Sequence, residues 1–118
     1  MAAVKKVTDY YKKLGYEVKS VEADNVGWDL EVIGKETLFR VEVKGTSGRN
    51  IAVDLTPNEY KHMNMLLYKN SYRLAIVTEA LTVSELYVFS FSEEKKEWVD
   101  DEGNILEIER IISAMCFI

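Results

Sequence analysis

Two β-rich stretches, residues 27–33 and 38–44, are separated only by Gly34-Lys35-Glu36-Thr37, and this spacing constrains the fold more than any other feature of the chain. So short a loop makes an antiparallel hairpin the expected connection. If Ile33 faces Leu38 across the loop, Glu31 falls opposite Arg40 and Asp29 falls opposite Glu42. One register thus sets up an ion pair and a carboxylate pair. Alternate strand residues share a face, so Glu42 and Lys44 point one way while Val41 and Val43 point into the opposite layer. Opposed Glu31 and Arg40 favour this register. Opposed Asp29 and Glu42 repel unless a cation lies between them, and two acids held close without a counter-ion raise at least one pKa. A hard divalent cation resolves both problems.

Around the hairpin, Val4, Val7, Tyr11 and Leu14 recur at helical spacing before Gly15, which predicts a helix over residues 3–14. Residues 16–22 alternate as a half-buried strand, and Asp24-Asn25 make a turn. Residues 45–50 read as a loop and 51–55 as a short extended segment. Thr56 as N-cap, Pro57 at the first helical position and Glu59 at the third form a capping box. That helix is expected to end near Lys69-Asn70, with Tyr60, Met63, Leu66 and Leu67 on its inner face, and Glu59 is read as the capping partner of Thr56 rather than as a catalytic acid. Residues 72–78 form an apolar run typical of a central strand, and residues 83–91 alternate as a further strand. Residues 92–104 look like an exposed loop with a turn at 101–104, and 105–118 fit either a strand or a closing helix. Trp98 is read as an anchor for this closing segment.

The order helix, three strands, helix, two strands predicts an α/β (α+β mixed) fold. Tight turns make the first three strands an antiparallel meander, and the crossover through the second helix returns the chain to pair in parallel, normally with right-handed sense. The result is a mixed central sheet flanked by helices. No repeat or linker interrupts it, so residues 1–118 are expected to be one domain, with a core over about 4–90 and an acidic C-terminal extension over 92–118.

With 118 residues, 47% of them hydrophobic and 30% charged, the chain is long enough to bury a core and has no sign of disorder. No apolar run approaches the roughly 18 residues needed to span a bilayer, and Met1-Ala2-Ala3-Val4-Lys5-Lys6 lacks a signal-peptide core. A cytoplasmic, non-secreted protein without membrane contact is expected. The single Cys116 excludes an internal disulfide and, with only His62 beside it, a structural zinc site. Cys116 is read as a small apolar residue and His62 as a helix residue with no special duty.

The net charge of -5 argues at first against a nucleic-acid partner. Its distribution softens that objection. Residues 1–92 hold twelve acids and twelve bases, while residues 93–118 hold eight acids and three bases and account for the whole excess. Lys35, Arg40, Lys44 and Arg49 lie around the hairpin, and Lys5, Lys6, Lys12 and Lys13 on the first helix read as solvated surface charge.

Three segments in order carry a family likeness: Gly27-Trp28-Asp29-Leu30, Val41-Glu42-Val43-Lys44-Gly45-Thr46 and Leu55-Thr56-Pro57-Asn58-Glu59-Tyr60. With their helices and strands they resemble the PD-(D/E)XK nuclease superfamily, the restriction-endonuclease-like fold. The closer resemblance is to the C-terminal domain of NO VEIN-type proteins, a domain of unknown function often found beside helicase or restriction-system modules. It covers roughly residues 4–90. The resemblance implies a Mg²⁺-dependent (or Mn²⁺-dependent) nuclease hydrolysing phosphodiester bonds in nucleic acid, DNA first, in a restriction, repair or defence setting. A helicase or restriction-system partner and a homodimer are compatible with it. Asp29 and Glu42 match the metal-holding acids, with the backbone carbonyl of Val43 a customary third ligand, and Lys44 matches the motif lysine. Many members carry a further glutamate on the first helix; here Asp9 is the acid that substitutes, as an additional metal ligand. The alternative is a non-catalytic nucleic-acid- or protein-binding module that retains the nuclease fold, in which Lys44 simply neutralises Asp29 and Glu42. Gly45-Thr46-Ser47-Gly48 is not a phosphate-binding P-loop, because the spacing to a Gly-Lys-Ser/Thr ending is absent.

Overall fold

The computed structural model describes residues 2–47, 51–79, 83–111 and 116–118. The first helix, α1 (Ala2–Lys13), buries Ala3, Val7 and Tyr11 along one stripe, with Lys12 and Lys13 in its last turn complementing the helix dipole. Gly15 follows at φ 93°, a left-handed conformation that favours glycine and lets the chain turn into the sheet.

Strands β1 (Glu17–Ser20), β2 (Leu30–Ile33) and β3 (Leu38–Thr46) form the expected antiparallel meander. Helix α2 (Pro57–Asn64) then crosses over to β4 (Tyr72–Glu79), which pairs with β3 in parallel and is followed by antiparallel β5 (Ser84–Ser92) and β6 (Glu97–Val99). Among the described residues the strands make one six-stranded mixed sheet whose spatial order is the chain order. The fold is therefore α+β, with a mixed sheet and, among the described residues, two α-helices.

Strand alternation sorts the side chains into two layers. Val41 and Val43 of β3, with Ala75 and Val77 of β4, pack under α1. On the other face Leu74 and Ile76 join Met63 of α2, Tyr72, Phe89 and Trp98. Arg40, Glu42 and Lys44 share that second face by parity, and the parallel register sets Glu42 beside Leu74 and Lys44 beside Ile76. A carboxylate thus lies in an apolar layer.

Several elements depart from the sequence expectations. Strand β2 begins at Leu30 rather than Gly27, because Gly27 sits at φ 102° and Asn25 at φ 51°, which bend the chain before pairing can start. Residues 51–55 form no strand, although Val53 and Leu55 lean on the second core. Helix α2 stops at Asn64, with Met65 extended at its C-cap, and Leu66 and Leu67 are 92% and 74% exposed instead of facing inward. The chain leaves the helix there because Tyr68 is drawn onto Arg40, and its carbonyl receives the Ser71 and Tyr72 N–H groups that open β4.

The stretch expected to be loop contains β6, with Trp98 buried edge-on against Tyr72 and Phe91. Trp98 anchors the following segment as expected, since Leu106 N–H donates to its carbonyl. Beyond the single bridge Val99↔Ile105, residues 106–111 and 116–118 are neither strand nor helix, and residues 112–115 lie outside the described ones. Continued in the same register, the pairing would set Glu97 directly opposite Glu107, and like charges at such a position oppose it. Cys116 is exposed rather than packed.

Candidate functional site

The hairpin register sets Ile33 against Leu38 and Glu31 against Arg40, as the loop length predicts. It carries Asp29 to the place where β2 ends beside β3. The Asp29 N–H donates to the Val41 carbonyl at 3.0 Å, and beyond that point β3 has no backbone neighbour from β2. The Asp29 side chain fills the gap: its Oδ2 accepts from the Val43 N–H at 2.9 Å. In a strand the N–H and C=O of one residue leave on the same edge, so the Val43 carbonyl lies on the Asp29 side of β3.

On the face toward α2, Glu42 is 3% exposed and Lys44 is half-buried. The Lys44 Nζ stands 3.6 Å from Glu42 Oε2 but 2.7 Å from Oε1 of Glu59. Glu59 comes from the first turn of α2, where the same Oε1 accepts from the Thr56 N–H at 2.8 Å and the Thr56 hydroxyl accepts from the Glu59 N–H at 3.1 Å. The capping box is present as read from the sequence. Its glutamate has a second role that the sequence reading missed, because the contact to Lys44 spans fifteen residues and exists only once the crossover places α2 over β3.

Residues 1–89 match the family described as Protein NO VEIN, C-terminal. The chain belongs to this family. The matched stretch runs from α1 into β5 and contains Asp29, Glu42, Lys44 and Glu59, while β6 and the acidic C-terminal segment lie outside it. No curated protein and no solved structure matches the chain.

The electrostatics of this NO VEIN C-terminal domain follow from two glutamates beside one ammonium, with the charge of Asp29 acting from the end of β2. Burial, then the hydrogen bond to Glu59 and the negative charges of Asp29 and Glu59, push the Glu42 carboxyl up to about 9 against the opposing pull of Lys44. Burial alone would raise Glu59 as well, but hydrogen bonds from Glu42, Lys44 and the Thr56 N–H bring it below the usual carboxylate range. Burial works against the charged form of Lys44, yet its bond to Glu59 and the nearby Glu42 and Asp29 hold it above its ordinary value. Glu59 therefore pairs with a charged Lys44, and burial makes Glu42 the more ready of the two glutamates to hold a proton.

Asp29 is held in place by its surroundings. The buried Tyr72 hydroxyl donates to the Gly27 carbonyl at 2.8 Å, and burial keeps that phenol protonated. A Cβ on Gly27 would stand 2.6 Å from His62 Nδ1, so glycine is required both by φ and by the ring. His62, expected to have no special duty, packs against Gly27 and edge-on against Trp28. Glu31 and Arg40 are opposed but do not form the expected ion pair among the described residues. Glu31 accepts from Trp28 Nε1 at 3.2 Å, whereas the Arg40 guanidinium lies over the Trp28 and Tyr68 rings at 5.4 and 4.8 Å and donates to Ser71 Oγ. Stacking on two rings, with a hydroxyl acceptor alongside, serves a planar cation in a half-buried place.

Asp9, the acid substituting on the first helix, is not brought to this site. It is exposed and paired with Lys5 at 2.8 Å, on a helix that packs against the opposite layer of the sheet from Glu42. Among the described residues no three of His, Cys, Asp and Glu are grouped so as to hold a metal ion. The donors that suit a hard divalent cation are the second carboxylate oxygen of Asp29, the Glu42 carboxylate and the Val43 carbonyl, a set composed wholly of oxygen. No described helix is long and apolar enough to cross a membrane.

Proposed function

We propose that this domain is a Mg²⁺- or Mn²⁺-dependent nuclease with a restriction-endonuclease-like (PD-(D/E)XK) arrangement, which hydrolyses phosphodiester bonds in nucleic acid, DNA first, in a restriction, repair or defence setting. The observation that carries the reading is the unbalanced negative charge at the end of β2. Glu59 and Glu42 stand 2.7 and 3.6 Å from the Lys44 ammonium, Glu42 is almost wholly buried, and Asp29 is fixed to the same strand through the Val43 N–H, near enough for its charge to push Glu42 up. A divalent cation would supply the missing charge. When bound, such an ion lowers the pKa of a ligated water and neutralises phosphoryl oxygens.

The residues of the chain supply the rest. Asp29, Glu42 and the Val43 carbonyl hold the ion, and Lys44, kept charged, offers an ammonium to a phosphate oxygen or to the developing charge at phosphorus. The apolar layer around Glu42 excludes water and strengthens each of these interactions. Nucleic acid is the partner, brought by a helicase or restriction-system protein, and pairing of two chains would allow both strands to be cut.

A second reading is a binding module that keeps this fold without cleaving. It is favoured by one observation: the Lys44 ammonium already neutralises Glu59 at 2.7 Å. The two readings part in a cleavage assay. Wild type, Asp29→Asn and Lys44→Ala are incubated with single- and double-stranded DNA and RNA in Mn²⁺. Cleavage by wild type that both substitutions abolish supports the nuclease; binding without cleavage supports the module, and cleavage persisting in Lys44→Ala rejects the role given to that lysine.

A further inference from the structure

Resting on the reading of Asp29 and Glu42 as a cation-holding pair, we propose that Glu59 is a positioning residue, which draws the Lys44 ammonium off Glu42 and so leaves that carboxylate open to the cation. The ammonium has two carboxylates within reach. It forms a short charge-assisted hydrogen bond to Glu59 at 2.7 Å, while Glu42, at 3.6 Å, lies beyond hydrogen-bond distance. Glu59 wins because it is anchored. The oxygen that receives Lys44 is already fixed by the backbone N–H of Thr56 at 2.8 Å, a bond that does not depend on the Thr56 side chain.

The simpler account is that Glu59 serves only as the helix cap. Capping needs an acceptor at this helical position, which glutamine supplies as well as glutamate. Holding an ammonium against a competing carboxylate needs the charge. Glu59→Gln therefore separates the two roles: it keeps the cap and removes the pull on Lys44, whose nearest remaining acid is Glu42. The ammonium then moves onto the oxygen that the cation requires.

The test uses the full chain in four forms: wild type, Glu59→Gln, Thr56→Ala and Glu59→Gln/Lys44→Met. One readout is the NMR signal of the Lys44 ammonium, which is slow to exchange when it is hydrogen-bonded; the other is the Mn²⁺ concentration at the midpoint of the rise in Tm. Glu59→Gln is expected to fold, to change the ammonium signal, and to raise the Mn²⁺ midpoint about 10-fold or more, the scale on which outer partners of metal ligands act. Adding Lys44→Met restores the midpoint to within about 3-fold of wild type, as coupled neighbours require. Thr56→Ala lowers Tm yet leaves the ammonium signal and the midpoint in place.

Glu59→Gln with both readouts unchanged would overturn the proposal and leave Glu59 a cap. A raised midpoint that Lys44→Met does not restore also overturns it, making Glu59 a ligand instead. Glu59→Asp, which keeps the charge but is too short to serve cap and lysine together, is the second variant should Glu59→Gln fail to fold, with the same expectation. A wild type with no Mn²⁺ response rejects the cation reading, and the ammonium signal still decides whether Glu59 holds Lys44.

Discussion

Glu59 meets Lys44 at 2.7 Å while closing the N-terminus of its own helix. This contact ties α2 to the central strand at the point where Glu42 is buried, so the helix cap and the charge balance of the site are one structure.

Glu42→Gln is expected to stabilise the metal-free protein at neutral and alkaline pH. The folded-state pKa of Glu42 is raised from 4.5 to about 9, so the folded chain holds a proton that the unfolded chain releases. The stabilisation linked to that proton is complete below the lower value and is lost as pH rises through the upper one. Across this window wild type loses stability that Glu42→Gln retains, on the order of 1 kcal/mol or more and several degrees in Tm. Thermal unfolding from acid to alkaline pH in chelator checks it; parallel curves for the two proteins would refute it.

Asp29→Asn keeps an acceptor for the Val43 N–H and removes the charge. The variant is expected to fold with nearly unchanged Tm in chelator. Wild type should gain about 2.7 kcal/mol at Mn²⁺ one hundred times its Kd, and the variant should gain almost nothing at the same concentration. Equal Mn²⁺-dependent shifts in the two proteins would remove Asp29 from the cation site.

Gly27→Ala introduces a Cβ 2.6 Å from the His62 ring at φ 102°. A loss of roughly 2 kcal/mol or more is expected from strain and clash together. His62→Ala relieves only the clash, so the double variant should recover part of the loss, with a coupling of about 0.5–3 kcal/mol in urea unfolding. Strict additivity would show that the ring is not what Gly27 accommodates.

Glu107→Lys turns a repulsive pair with Glu97 into an attractive one, two residues beyond the Val99↔Ile105 bridge. The strand is expected to lengthen by about two residues and to gain about 0.2–1 kcal/mol. Hydrogen exchange at Ile108 reads this directly, because Leu106 already donates to the Trp98 carbonyl and alternate N–H groups of this segment face β6. Protection unchanged from wild type would mean that something other than charge ends the pairing.

Much of this architecture was legible in the order of residues. The four-residue loop and the alternation around it determined the register of β2 and β3, and with it the shared face of Glu42 and Lys44. Thr56, Pro57 and Glu59 announced the start of α2, and the apolar run before Thr78 announced a central strand. The end of α2 was not legible, because Leu66 and Leu67 continue the helical period although the chain turns to bring Tyr68 onto Arg40. The choice of Arg40 between Glu31 and two aromatic rings was equally hidden: pairing positions are local, but Trp28 and Tyr68 reach the guanidinium from other elements.

Sequence alone thus determined what depends on near neighbours: strand parity, turn register, the capping box and the shared face of Glu42 and Lys44 on β3. Only the tertiary structure decided that Glu59 joins them and that Asp9 does not. The reason is physical. Periodicity and local hydrogen bonds act over a few residues, whereas the layer a helix covers and the charge a buried carboxyl carries depend on the packing of distant segments, and here α2 lies over Glu42 while α1 lies on the other side of the sheet.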